Sequence, residues 1–346
     1  MSTKQLTEFE DFLHKQDEVA WSATITRLLP DIHEVDRNAT QIWFKFYPLS
    51  LWKALAQASD KQELVSKLLL QGKFELTEQI DSSHSFIYGH RFWPEVKKEI
   101  ETYASAFNYS ASATLAGEVR KVAGTVAQRI KADPSLVTGI TAVGFMTVLQ
   151  TGLAAFKDAP GKIRLDKKQA SKSPVDVLSA RAQDDSQGLF GFLKTVDKQW
   201  TVTYDEADTR ARFKAINEEE LASAAARDQS QDWRVRDERC IEGPIPVECR
   251  SAACGTCWVG VLGGAEKLTD VKVREAKMIK EFGYIDTDET KPIIRLACQA
   301  QSTGSVSIVI PPWNGIFGKP LKAQEMENTK SNAAFADHAS LNGVAN

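Results

Sequence analysis

Apolar residues along the chain follow two different rhythms. Up to about residue 158 they recur at steps of three and four, and from residue 199 they alternate or gather in short runs between Gly, Pro and charged turns. Leu115, Val119, Val122, Val126 and Ile130 make one clean helical stripe. Asp133-Pro134-Ser135 ends that helix and starts another. Phe9, Phe12, Leu13, Val19 and Ala20 recur near helical spacing, which predicts a helix from Leu6 to Leu29, and Leu51 to Gln57 and Glu63 to Leu70 read the same way. Gln41 to Tyr47 is a short aromatic segment stopped by Pro48. Leu136 to Phe156 is free of charge and long enough to span a bilayer, but its Thr, Gln and Gly residues dilute its hydropathy. It predicts a buried central helix whose small residues let neighbours approach; a membrane span or interfacial helix is the less favoured alternative, with basic residues on both flanks.

The second rhythm is that of strands. Gln199 to Tyr204 and Arg210 to Ile216 both alternate apolar and polar positions around the polar turn Asp205 to Asp208, which predicts a hairpin. Asn217 then reads as the cap of a helix with Glu218, Glu219 and Glu220 in its first turn, running on through Leu221 to Ala226. Trp258 to Leu262 predicts a strand closed by Gly263-Gly264, Asp270 to Phe282 an amphipathic helix ended by Gly283, and Ser305 to Ile310 a last strand stopped by Pro311-Pro312. The predicted class is α+β: a mostly helical domain over 1–159, a linker over 160–196 with small apolar patches at Val175 to Leu178 and Leu189 to Leu193, a strand-rich domain over 197–317, and a flexible tail over 318–346.

Composition adds boundaries. At 346 residues the chain is long enough for about two domains, and 43 Lys and Arg against 46 Asp and Glu argue against an electrostatic nucleic-acid binder. Five Cys and no secretory signal point to a reduced, cytoplasmic setting, peripheral to a membrane at most. No glycine-rich dinucleotide loop, phosphate loop, nucleophile elbow or HExxH is present.

Four of the cysteines carry the chemistry. Cys249, Cys254 and Cys257 stand in Cys249-Arg-Ser-Ala-Ala-Cys254-Gly-Thr-Cys257, and Cys298 follows inside Arg295-Leu-Ala-Cys298-Gln. C-x4-C-x2-C followed by a distant Cys is the ligand pattern of a plant-type [2Fe-2S] cluster. Zinc sites usually present two short-spaced pairs, and neither a second C-x2-C nor paired His follows; a disulfide conflicts with the reduced setting. An anionic cluster needs N–H groups aimed at its sulfurs, which the backbone from Arg250 to Thr256 can supply. Arg250 adds either a nearby positive charge or simple solubility.

Residues 197 to about 317 therefore resemble a plant-type or adrenodoxin-like [2Fe-2S] ferredoxin domain, on the strength of the Cys249 to Cys257 run and Arg295 to Gln299. The resemblance implies a β-grasp fold, a [2Fe-2S] cofactor with Cys249 and Cys254 on one iron and Cys257 and Cys298 on the other, and a low potential on the order of −400 mV. Two features depart from the family. Ala252 stands where the plant-type loop usually has Gly, and the long Cys257 to Cys298 interval implies an inserted helix. The helical half resembles no family we can name.

Other residues invite weaker functional readings. Trp258, directly after the third cysteine, reads as core packing ahead of an aromatic relay, and Cys240 as an ordinary buried thiol outside the ligand set. His84 and His90 fit no standard ligand pair and read as hydrogen-bonded residues of a buried aromatic segment, while Asp286, Asp288 and Glu289 read as a solvated loop ahead of a docking patch. The expected function is one-electron transfer to or from a redox partner protein, a reductase or an acceptor enzyme, with the helical domain serving docking or localisation. The alternatives are a redox-sensing or structural iron–sulfur protein, or the electron-input domain of an enzyme with a second cofactor site in the helical half.

Overall fold

A computed structural model describes residues 6–188, 198–283 and 289–321. The Leu189 to Leu193 patch, Asp286, Asp288 and the tail beyond Leu321 lie outside the described residues. The first half is built from α1 (Glu8–His14), α2 (Glu18–Leu28), α3 (Glu34–Phe46), α4 (Leu49–Gln57), α5 (Lys61–Lys67), the short strand β1 (Gln71–Gly72), α6 (Trp93–Ala106), α7 (Leu115–Ile130), α8 (Ser135–Thr151) and α9 (Leu153–Asp158). The stretch after Pro160 carries α10 (Lys167–Ser171) and α11 (Pro174–Ala182).

The helix predicted over Leu6 to Leu29 is two helices, because polar side chains close each end locally. Thr7 and Glu10 form a reciprocal capping box on α1, and the Asp17 carboxylate accepts the Ala20 N–H at 2.7 Å to start α2 afresh. The aromatic run Gln41 to Tyr47 is the last turns of α3, with Trp43 and Phe46 fully buried. Helix α8 is buried on every side from Val137 to Gln150, the central helix its composition predicts. The Thr138, Thr141 and Thr147 hydroxyls donate to carbonyls one turn back, so they enter the core already satisfied. A Cβ on Gly139 would stand 2.4 Å from Thr40 and one on Gly144 2.4 Å from Ile100, so these glycines set how closely α3 and α6 approach. Gly152, at φ +80, ends the helix. Among the described residues no helix is long and apolar enough to cross a membrane.

The second half contains β2 (Gln199–Thr203), β3 (Arg212–Ile216), β4 (Glu219–Glu220), α12 (Leu221–Ala226), β5 (Trp258–Gly263), α13 (Val273–Phe282), β6 (Ile294–Leu296), β7 (Gln301–Ser302), β8 (Val306–Val309) and β9 (Trp313–Asn314). Five strands form a mixed sheet in the order β3-β2-β8-β5-β6. The β2–β3 hairpin pairs Gln199 with Ile216 through Thr203 with Arg212, and β2 lies parallel to β8 at the centre. Asn217 does not cap a helix. Its Oδ1 accepts the Trp200 indole N–H at 3.0 Å, Glu218 turns the chain at φ +63, and Glu219 and Glu220 pair with Ser302 and Gln301 before the helix begins. Pairing across β4 and β7 outweighs the helical preference of the Glu run. Helix α13 ends at Gly283 with φ +84, the left-handed stop its sequence predicts.

The two halves share one continuous core. Helix α3 lies on β5, where a Cβ on Gly260 would stand 2.6 Å from Ile42 Cγ2. Trp258 meets Phe46 and Trp313 edge-on, with ring centroids 5.2 and 5.5 Å away. Strand β9 pairs with β1 of the helical half, and the Trp313 indole donates to the Phe46 carbonyl. Helix α11 also packs into this seam, its buried Arg181 donating to Val35 O at 2.7 Å and gripping Glu206 with two nitrogens. Nearby, buried Asp36 accepts the N–H groups of Tyr88 and Gly89 at 2.6 and 2.8 Å; burial raises its pKa to about 6 against the pull of those donors.

Two outcomes follow from the seam. Gly260→Ala should cost about 1–3 kcal/mol in denaturant unfolding, because the added methyl has no room against Ile42 Cγ2, and the same change should cost less in an Ile42→Ala background, which removes that carbon. Asp36 holds its proton to higher pH folded than unfolded, so its contribution is present below the unfolded value near 3.8 and lost as pH rises through about 6. Wild-type stability measured relative to Asp36→Asn should therefore fall by on the order of 2–3 kcal/mol between pH 4 and 7.

Candidate metal centre

Three of the four motif cysteines sit on the loop entering β5, and the loop's backbone explains the residues between them. Arg250, Ala252 and Gly255 have φ values of +50, +59 and +70, left-handed turns that curl the chain around the sulfurs. The curl aims N–H groups inward: Ser251 and Ala253 donate to Cys249 Sγ at 3.4 and 3.2 Å. The Thr256 N–H reaches Cys254, and the Ala252 N–H reaches Cys298. The fourth cysteine arrives just past the end of β6, where Ala297 N–H bonds Cys257 O at 2.8 Å and ties the two segments together. Cys257 and Cys298 are buried; Cys249 and Cys254 are half-buried.

Cys249 lies beside Cys254, and Cys257 beside Cys298. Burial pushes the Cys249 thiol up, but the Ser251 N–H and the Cys254 and Ala253 donors outweigh it and bring the pKa down to about 6. The Cys257 thiol, with the Ala252 N–H, overcomes burial to bring Cys298 down to about 7. Their neighbours move the other way: Cys257 is raised by its closeness to Cys298 and by burial, and Cys254 by burial. Among the described residues no group of three His, Cys, Asp or Glu side chains is arranged to hold a single metal ion. Paired thiols in a nest of inward N–H groups fit a multi-iron anionic cluster, whose charge that nest offsets.

The support beneath the loop was not anticipated from sequence. Helix α13, lying in the long interval between Cys257 and Cys298, brings buried Phe282 against the Gly255 backbone; a Cβ there would stand 3.2 Å from the ring. Its Glu275 forms a fully buried two-pronged ion pair with Arg295 at 2.8 and 2.9 Å, accepts the Leu296 N–H at 2.9 Å, and leaves Arg295 to donate to Thr269 O at 2.8 Å. This network anchors the strand that delivers Cys298. The signal was a lone Arg in the apolar run Ile293 to Leu296, with no cue to its partner.

The remaining candidates fall elsewhere. Trp258 is core packing between the halves. Cys240 is buried, donates to Pro244 O at 3.4 Å, and is pushed up to about 12 by burial, an inert thiol outside both pairs. His84 is buried against Trp93, and it bonds buried His90 through Nδ1 at 2.8 Å, with burial lowering both pKa values, His90 to about 4.

Residues 215–303 match the family model of the 2Fe-2S iron-sulfur cluster binding domain, a span that contains all four paired cysteines and α13. The C-terminal part is thus a ferredoxin-type iron–sulfur domain, and its cofactor is a [2Fe-2S] cluster. No curated protein and no solved structure matches the chain.

Three variants test this architecture. Glu275→Gln should cost about 3–5 kcal/mol by leaving the Arg295 guanidinium buried without its counter-charge, and a Glu275→Leu/Arg295→Met double variant should lose less than either single change in thermal unfolding. Ala252→Gly should raise the unfolding midpoint of the cluster-loaded protein, relieving about 1 kcal/mol of left-handed strain.

Proposed function

We propose that the protein is a one-electron carrier whose [2Fe-2S] cluster is held by Cys249 and Cys254 on one iron and by Cys257 and Cys298 on the other. The loop that aims the Ser251 and Ala253 N–H groups at Cys249 Sγ, and the Ala297–Cys257 backbone bond that ties the Cys298 segment to Cys257, support this assignment. When bound, the cluster supplies a single reversible electron at low potential. The chain's own residues do the rest: the N–H groups of Ser251, Ala252, Ala253 and Thr256 offset sulfur charge, and burial of Cys257 and Cys298 keeps their side from water. The half-buried Cys249 and Cys254 leave one approach for a redox partner protein, whether reductase or acceptor enzyme.

The fold of this part is a β-grasp on this proposal, supported by a sheet whose first and last long strands lie parallel at its centre with a helix packed on the hairpin. The helical half, fused to that sheet through a shared core, serves as the element that selects or places the partner.

The protein purified without oxygen should contain two irons and two sulfides per chain, absorb in the visible, and give an electron paramagnetic resonance signal after one-electron reduction. A colourless, zinc-containing protein would overturn the proposal. Cys249→Ala, Cys254→Ala, Cys257→Ala and Cys298→Ala should each lose the cluster, while Cys240→Ala keeps it; iron and sulfide content reads the difference.

A further inference from the structure

Arg250 stands next to Cys249 with its backbone in the left-handed region at φ +50, yet its guanidinium is anchored away from the loop at two points. One nitrogen donates to the Ser223 hydroxyl on α12 at 3.1 Å, and another forms an ion pair with Glu242. Both partners of the pair are part-exposed, and such surface pairs contribute little to stability. The position of this one is what matters: a cation one residue from a cluster ligand stabilises the reduced, more negative state wherever its charge is left uncompensated.

We propose that Glu242 is a positioning residue for the cluster's charge balance: by pinning the Arg250 guanidinium against α12 it offsets that charge and holds the cluster's reduction potential lower. The inference rests on the ligand assignment given above and deepens it, because it names the side chain that sets the potential of that site. Arg250 thereby has two separable roles. Its backbone bends the loop so that Ser251 can donate to Cys249, and its side chain is held out of the electrostatic balance by Glu242.

The test is a redox titration of the full-length, cluster-loaded protein, followed by electron paramagnetic resonance, at low and high salt. Glu242→Gln should leave iron and sulfide content and the unfolding midpoint unchanged while raising the potential, so that the ratio of reduced to oxidised cluster at fixed ambient potential rises roughly threefold at low salt. That ratio corresponds to about 28 mV at 59 mV per tenfold for one electron. High salt should shrink the shift, since the groups are part-exposed. In an Arg250→Gln background the same Glu242→Gln change should move the potential less, and Glu242→Asp, which keeps the charge, should recover at least half of the wild-type behaviour.

An unmoved potential in Glu242→Gln overturns the proposal. So does an equal shift with and without Arg250, which would make Glu242 a bare charge acting alone. Should Arg250→Gln fail to hold a cluster, Glu242→Asp decides: a shift as large as that of Glu242→Gln rejects the charge-pairing account. A wild-type protein lacking iron and sulfide would instead sink the ligand assignment, an outcome visible before any variant is compared.

Discussion

Negative charge concentrated on sulfur has to be met by backbone N–H groups, and a loop can point several of them at one place by bending through left-handed residues. The loop from Cys249 to Cys257 does this at Arg250, Ala252 and Gly255, of which only the last is glycine. The two side-chain-bearing residues hold a conformation that costs about 1 kcal/mol each or more, so something outside the loop must maintain it. Phe282 presses on Gly255 from α13, and the Glu275–Arg295 pair fixes α13 to the strand leading to Cys298. Helix α13 is therefore part of the metal centre's foundation.

That foundation continues into the helical half. A five-stranded sheet with one face open to water would leave Trp258, Trp313 and the flat surface at Gly260 uncovered. Here α3 covers them with Ile42 and Phe46, and α3 is in turn held by α8 and by the buried Asp36 carboxylate that stitches the Tyr88–Gly89 turn. Helix α8 can sit at the middle of this arrangement because its glycines accept close neighbours and its threonines satisfy themselves within the helix.

Much of this was legible in the sequence, and the misses share a cause. The cysteine spacing, the β2–β3 hairpin, the Gly283 stop and the buried character of α8 are local signals, written within a few residues. The break between α1 and α2 was missed because the apolar period runs across it while a single Asp17 cap decides it. Asn217 and its Glu run were misjudged because a pairing with Gln301 and Ser302, far along the chain, overrides local helix preference. The Glu275–Arg295 pair and the seam are wholly non-local: each side looks like an ordinary amphipathic segment until the other is in place. The cysteine pattern was thus readable in the sequence, and the supports beneath its loop were not.

The pairing of β9 with β1 has a consequence for how the molecule is made. Among the described residues Gln71 and Gly72 find strand partners only in Trp313 and Asn314, so this edge of the first half stays open until nearly all of the described chain has left the ribosome. At ordinary elongation speeds of about 5–20 residues per second, the helical half waits many seconds with Phe46 and Ile42 uncovered. Closing that edge and enclosing the cysteines are late events of the same synthesis, which ties the birth of the metal centre to the completion of the whole fold.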